Sequence, residues 1–280
     1  MLPTFIIAGP PKAGTSSLQY YIRDHPDIYV PEGEPHFFCD HYNEGLSYYE
    51  QFFKEWSGQR AVGEKTPCYF YMPEIPERIK KDFPAIKLLF IFRNPIDRAY
   101  SHYWHNVRRY VEKASFEEAI QREKDGKLPT LDLRIDRIYK REPGTFSYLS
   151  ISRYAEHIER WQRHFDKSQM LFVLLEDLSY SSLHDVLRFL EVNDDYAFGD
   201  INKKYNIGGA PRSRFLMRIT RRFEYIKLFH DGFDRLLNFK RGHYPKMNPD
   251  TRASLDAYFK PYNKDFAEMT GCSVEKWHHE

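Results

Sequence analysis

Two short stretches of the chain gather groups that can hold an anion. The first is Gly9-Pro10-Pro11-Lys12-Ala13-Gly14-Thr15-Ser16-Ser17. Its spaced glycines and prolines suit a tight turn, and Leu18, Tyr21 and Ile22 continue as an apolar-periodic helix. Such a turn aims backbone N–H groups and the positive end of a helix dipole at one point, which is how proteins cradle phosphate. Lys12 adds a full charge, and Thr15, Ser16 and Ser17 add hydroxyl donors. The second stretch, Arg93-Asn94-Pro95-Ile96-Asp97-Arg98-Ala99-Tyr100-Ser101, places an arginine directly after an apolar run. Ser101 follows it eight residues on, about two helical turns.

The first loop departs from the nucleoside-triphosphate pattern G-x-x-x-x-G-K-[ST], whose lysine follows the second glycine. Here Thr15 follows Gly14 and the lysine comes earlier, at position 12. An ordinary kinase or NTPase is therefore disfavoured, while a terminal phosphate group on a nucleotide remains a good ligand. Two anion sites on neighbouring strand ends predict a nucleotide with phosphates at both ends.

These groups need a scaffold that brings strand ends together. Phe5-Ile6-Ile7, Ala61–Glu64, Ile86–Phe92 and Met170–Leu175 read as buried strands, and Asp27–Val30 as a short extended piece. Near-continuous apolar runs such as Leu88-Leu89-Phe90-Ile91-Phe92 are what parallel strands covered on both faces require. Helices are expected over 16–24, 46–53, 74–82, 96–110, 116–124, 154–165, 182–190, 215–229 and 250–269. The alternation argues for an α/β fold with a mostly parallel sheet flanked by helices, as a single domain over residues 1–280. Ligands then lie outside the carboxyl ends of the strands, beside both loops. Gly208-Gly209-Ala210-Pro211 reads as a flexible connector.

The composition limits the alternatives. A net charge of +2 over 280 residues gives no case for nucleic-acid binding. No apolar run is long enough to span a bilayer. With the first strand starting at Phe5, no signal peptide is expected, and Cys39, Cys68 and Cys272 lie far apart without metal-type spacing. A cytoplasmic protein with structural cysteines is expected. The basic clusters Arg212, Arg214, Arg218, Arg221, Arg222 and Arg134, Arg137, Lys140, Arg141 are solvated faces or gatherers of an anionic partner.

Taken together these motifs resemble the sulfotransferases that use 3′-phosphoadenosine 5′-phosphosulfate (PAPS), most closely the heparan sulfate N- and O-sulfotransferase branch. Lys12-Ala13-Gly14-Thr15-Ser16-Ser17 resembles the 5′-phosphosulfate loop, and Arg93 with Ser101 the 3′-phosphate motif. His25-Pro26-Asp27, Glu34 before Phe37-Phe38, Glu64-Lys65, His157–Trp161 and the late Arg241-Gly242-His243-Tyr244-Pro245 match as well. The resemblance spans nearly the whole chain and implies a P-loop-type three-layer fold, PAPS as donor, PAP as product and no metal. The acceptor would be a hydroxyl or amine on a glycan, lipid or carrier-bound metabolite.

Sulfuryl transfer needs a base for the acceptor, in-line attack on sulfur and help for the departing phosphate oxygen. The resemblance makes Glu34 the base, with His36 as the alternative, Lys12 the stabiliser of the leaving phosphate, and Lys65 a contact to sulfonate or acceptor. Pro35, Phe37 and Phe38 are expected to desolvate Glu34 and raise its pKa. His105 is placed near the sulfonate. Arg241 and Gly242 form a nucleotide clamp, with Lys240 an alternative to Arg241 because the local pattern differs from the family's. A cysteine pair that brackets a loop upstream of this clamp in Golgi relatives is missing. A small-molecule kinase and a non-catalytic nucleotide-binding module are the competing readings.

Overall fold

The computed structural model describes residues 1–109, 111–129, 144–201 and 244–277, together with the backbone of 209–211 and 239–241. Five parallel strands form the centre: β1 (Phe5–Ile7), β2 (Ile28–Tyr29), β3 (Ala61–Lys65), β4 (Lys87–Phe92) and β5 (Met170–Leu174), in the order β2-β3-β1-β4-β5. Phe5 pairs with Gly63 on one side of β1 and with Lys87 on the other. The chain leaves β1 for the edge at β2, and β3 and β4 then fill in on either side of it. The loops after β1, β3 and β4 consequently emerge side by side at the carboxyl end, where the strand order reverses.

Strand alternation divides the apolar residues between two faces, as a side-chain period of two demands. Ile6, Leu88, Phe90 and Phe92 pack with Trp161, Phe266 and Trp277, residues of α6 (Tyr154–Gln162), α8 (Pro249–Thr270) and the C-terminal turn. Phe5, Ile7, Leu89 and Ile91 pack with Leu18 and Ile22 of α1 (Thr15–Ile22) and with Leu183, Val186 and Leu187 of α7 (Tyr180–Leu190). The result is the expected three-layer α/β arrangement. A further cluster joins α4 (Pro95–Arg108) and α5 (Phe116–Lys124) to the start of α8 through Ala99, Tyr103, Phe116, Leu255 and Phe259. Two more helices complete the described set: α2 (Leu46–Tyr49) and α3 (Ile75–Asp82).

The predicted helix over 46–53 divides into α2 and a tighter 3-10 turn, Glu50–Phe53. The supposed connector at 208–211 is corrected in part. Gly209–Pro211 is a strand, β6, paired antiparallel with Phe239–Arg241, β7, and β6 packs against α4. Backbone pairing holds this stretch in place whatever its glycine content. Gly208, the helix expected over 215–229 and the two basic clusters lie outside the described residues.

Gly9 is required by close packing. A Cβ there would lie 2.5 Å from the Ile91 carbonyl oxygen and 2.9 Å from its nitrogen, both backbone atoms of β4 that cannot step aside. Gly9→Ala is therefore expected to push β1 from β4 and to destabilise the fold by about 1–3 kcal/mol, the usual cost of overpacking. A lowered urea midpoint is the measurement that checks it.

Candidate active site

The loop after β1 turns on two left-handed residues. Gly14, with φ +108°, caps α1, and Lys12, with φ +71°, adopts a conformation uncommon for a residue bearing a Cβ. The Ala13 N–H closes the turn on the Pro10 carbonyl at 3.2 Å, while the Leu18 N–H begins the helical ladder on Gly14 at 3.0 Å. The N–H groups of Thr15, Ser16 and Ser17 form the first turn of α1, where intrahelical acceptors run out. No acidic residue stands in that turn. The turn has the form that an anion cradle takes, with Ala13 buried beneath it.

Arg98 anchors the cradle. Its guanidinium is fully buried and donates to the Pro11 carbonyl at 3.3 Å, the Tyr148 carbonyl at 2.6 Å and Ser152 Oγ at 2.6 Å. A buried arginine with its donors occupied in this way holds the β1 loop against α4. Asn94 starts that helix: its side chain accepts from Ile96 N–H at 3.0 Å and Asp97 N–H at 3.3 Å, and Pro95 follows at the first helical position.

Cationic groups converge above the cradle. Burial brings the Lys12 ammonium down to about 8, helped by the positive charges of Arg108, Arg93, Arg109 and Arg98. Crowding of this kind favours an anion among them. Arg108 and Arg109 were not singled out in the sequence; their spacing from Ser101 along one helix, seven and eight residues, is the signal that finds them. His105 lies in the same group, its imidazolium disfavoured by burial and by Lys12, Arg108 and Arg109, which takes it down to about 2. The neutral ring faces Arg108 NH2 at 3.2 Å through Nδ1 and Arg109 NH1 at 3.4 Å through Nε2. A neutral imidazole accepts at one nitrogen only, so it takes a hydrogen bond from one of these arginines.

Ser101 is buried on α4, and its Oγ lies 3.3 Å from the Tyr244 hydroxyl. Tyr244 also stacks on Trp104 at 6.2 Å and 10°, and the Tyr100 hydroxyl donates to the Pro245 carbonyl at 3.0 Å. The late Tyr-Pro motif is thus brought onto the helix of the second anion motif. Arg93, at the end of β4, is half-buried, with its carbonyl accepting from the Tyr154 hydroxyl at 2.8 Å. Arg241 contributes its backbone to β7 opposite Gly209. Gly242 lies outside the described residues. A cavity of about 710 Å³ beside Tyr100, Tyr103, Trp104, Phe116 and Lys246 opens on the flank of α4 and is lined by none of the cradle residues.

Glu34 and Lys65 meet. Lys65, the last residue of β3, is buried; its ammonium donates to Glu34 Oε1 and reaches Ser16 Oγ at 3.4 Å. His36 Nε2 stands 3.3 Å from the other Glu34 oxygen. The expectation of a raised Glu34 pKa is overturned. Burial does push the carboxyl up, but the hydrogen bond from His36 and the charge and hydrogen bond of Lys65 outweigh it, and the net shift is downward. Glu34 is held as a carboxylate, an acceptor with no proton of its own.

Behind them sits Glu64, fully buried, with burial pushing its carboxyl up to about 7 against the opposing hydrogen bonds of Thr66 and Tyr49. The Tyr49 hydroxyl donates to it at 2.8 Å and Thr66 Oγ1 at 2.7 Å; Thr66 Oγ1 in turn accepts the His36 N–H at 3.4 Å. This chain braces the Glu34 loop, in which His36 is itself left-handed at φ +51°. The cysteines also need correcting: Cys39 and Cys68, 29 residues apart, lie with their sulfurs 3.3 Å from each other. All three cysteines are free thiols.

A lysine-bearing β1–α1 turn, an arginine–serine stretch after β4, and a carboxylate tied by a lysine to that turn suit a group-transfer enzyme acting on a nucleotide donor. The sulfotransferase domain model matches residues 2–204. The chain belongs to the sulfotransferase family, whose members move a sulfuryl group from PAPS. It is 30% identical over 276 residues to mouse heparan sulfate glucosamine 3-O-sulfotransferase 3B1, covering 96% of this chain and 64% of that protein. With mouse heparan sulfate glucosamine 3-O-sulfotransferase 6 the identity is 30% over 275 residues, covering 96% of this chain and 72% of the relative. The chain thus spans less than two thirds of the length of the first of these. A sulfotransferase crystal structure from Alicyclobacillus acidocaldarius superposes with a TM-score of 0.73 at 25% identity, each chain covered fully.

The Lys12 pKa sets a pH dependence. The ammonium attracts an anion and the amine does not, so affinity of the free protein for PAP is full well below pH 8 and falls as pH rises through about 8. Calorimetric titrations of PAP on either side of that value should show the fall, and Lys12→Met should bind more weakly with a flat profile there.

Proposed function

We propose that this protein transfers the sulfuryl group of PAPS to a hydroxyl of a saccharide acceptor, with Glu34 as general base. The observation that carries the reading is the Lys65 bridge. One ammonium reaches Ser16 Oγ of the donor cradle and a carboxylate oxygen of Glu34, so donor and base are held within one side chain's reach. The 3-O-sulfotransferase relatives favour a sugar hydroxyl as acceptor over an amine.

The chemistry follows from the groups present. Glu34 accepts the proton of the acceptor O–H as that oxygen attacks sulfur in line. The bond between sulfur and the bridging phosphate oxygen breaks, and PAP departs carrying the added charge. Lys12 and the N–H groups of Thr15, Ser16 and Ser17 stabilise that charge as it develops. Arg93 and Ser101, with Arg241 as the clamp, hold the 3′-phosphate, and neutral His105 orients one of the neighbouring arginines near the sulfonate. Lys65 lowers the basicity of Glu34 in the resting site. A sulfonate drawing the lysine toward itself would release the carboxylate for its task, which matches base strength to the arrival of donor. Free thiols throughout suit a reducing, cytoplasmic setting.

Transfer of radiolabelled sulfate from PAPS to a panel of glycans, lipids and carrier-bound hydroxy acids tests the reading, and label should appear on a sugar oxygen. In a thermal-shift comparison, PAP should stabilise the protein, and stabilisation by ATP–Mg²⁺ alone would favour the kinase alternative instead. Glu34→Gln should keep PAP affinity and reduce turnover by about 10²–10⁴-fold, the usual contribution of a positioned base. Turnover unchanged by that substitution would transfer the role to His36.

A further inference from the structure

The sulfuryl-transfer chemistry leaves one cluster beside the base unused. Cys39, in the turn Phe37–His41, and Cys68, in the turn Pro67–Phe70, point their sulfurs at the same ring nitrogen of His36. The Sγ–Sγ distance is 3.3 Å, and each sulfur lies 3.6 Å from His36 Nδ1. These three atoms form a nearly equilateral triangle of soft and borderline donors drawn from two separate elements.

The dimensions are those of one face of a tetrahedral thiolate–imidazole site. With Zn–S near 2.3 Å and Zn–N near 2.0–2.1 Å, such a face has a sulfur–sulfur edge of about 3.8 Å and sulfur–nitrogen edges of about 3.6 Å. Both nitrogen edges already match, and the sulfur edge needs to open by about 0.5 Å, which small χ1 rotations supply. A second observation points the same way. His36 Nε2 faces Glu34 Oε2 at 3.3 Å, so the ring's other nitrogen is engaged by a carboxylate. Donation of Nε2–H to a carboxylate fixes the tautomer with its Nδ1 lone pair outward, the arrangement that metal-ligating histidines show. Asp40 Oδ2 lies 3.8 Å from the same Nδ1.

We propose that Cys39, Cys68 and His36 Nδ1 form a binding site for a thiophilic divalent cation of the zinc class, with its fourth position taken by water or Asp40. Binding exchanges the thiol protons for the ion: M²⁺ replaces up to two H⁺, the sulfurs bind as thiolates, and no redox change occurs. The ion ties the loop carrying Glu34 to the segment after β3, and so couples cation occupancy to the orientation of the carboxylate. The site stands on this geometry and does not depend on the sulfotransferase reading.

The test uses the full chain kept reduced with a phosphine, without nucleotide or acceptor. Addition of Co²⁺ should give one equivalent of binding, with a sulfur-to-cobalt charge-transfer band and the intense visible bands of tetrahedral cobalt. One equivalent of Zn²⁺ should then bleach both. Cys39→Ser/Cys68→Ser and His36→Asn should lose the charge-transfer signature or its stoichiometry, and Cys272→Ser should keep it. In case the double variant fails to fold, alkylation of the wild-type protein provides a second readout. Zn²⁺ should protect Cys39 and Cys68 from iodoacetamide while Cys272 reacts unchanged, as mapped by mass spectrometry. Cobalt bound without charge transfer, a signature that survives in the folded double variant, or equal alkylation with and without Zn²⁺ would each overturn the site.

Discussion

A lysine ammonium that is nearly closed off from water must find partners, because an unpaired buried charge is far more costly than any packing around it can offset. Lys65 finds two: the Glu34 carboxylate and the Ser16 hydroxyl. These lie on three segments distant in the chain, the end of β3, the loop before the Phe37 turn and the first turn of α1. Satisfying one side chain therefore fixes the separation between donor cradle and base. Glu64 behind it acts on the same loop through Thr66, whose hydroxyl accepts the His36 N–H. The adjacent pair Glu64-Lys65 divides the work by strand geometry. Successive side chains of β3 point to opposite faces, one into the core with Tyr49 and one into the site.

The second constraint is repulsion. Lys12 shares its surroundings with Arg93, Arg98, Arg108 and Arg109, and its pKa is lowered first by burial and then by those like charges. Arg98 departs from the others in purpose. Spending its donors on Pro11, Tyr148 and Ser152, it holds the loop in place. The cradle's geometry is thus supported from below by one arginine while its charge is supplied from above by others, which allows the loop to be both rigid and electropositive. Donors positioned in advance need not reorganise when charge develops on the leaving oxygen.

Much of this was legible in the residue order. The strands, the phosphate turn and the Asn94-Pro95 helix start are local events, set by apolar runs, by glycine at a left-handed position and by capping chemistry. The helix expected over 116–124 has those ends, and the structure shows a Ser115–Glu118 capping box at its start. Less legible were features in which one segment answers another. Arg98 stands in the sequence simply as one more cation of the Arg93–Ser101 stretch, yet it is fully buried, and three acceptors from outside α4 meet it. Gly209–Pro211 read as a connector, yet it pairs with Phe239–Arg241. A ladder between segments nearly 30 residues apart leaves no periodic trace in either.

The sequence by itself determined the chemistry on offer: an anion-binding turn with its lysine at position 12, an arginine–serine motif at the end of β4, and a carboxylate after the first helix. Only the tertiary structure decided how those groups act on one another. Aromatic neighbours alone predict a raised Glu34 pKa, whereas the fold supplies Lys65 and His36 and the balance turns downward. Cys39 and Cys68 look unrelated along the chain, whereas two turns bring their sulfurs onto one imidazole nitrogen. The physical reason is common to both cases. Electrostatic and coordination partners are chosen by distances of a few ångströms in space, and those distances exist only once the sheet order has set β1, β3 and β4 side by side.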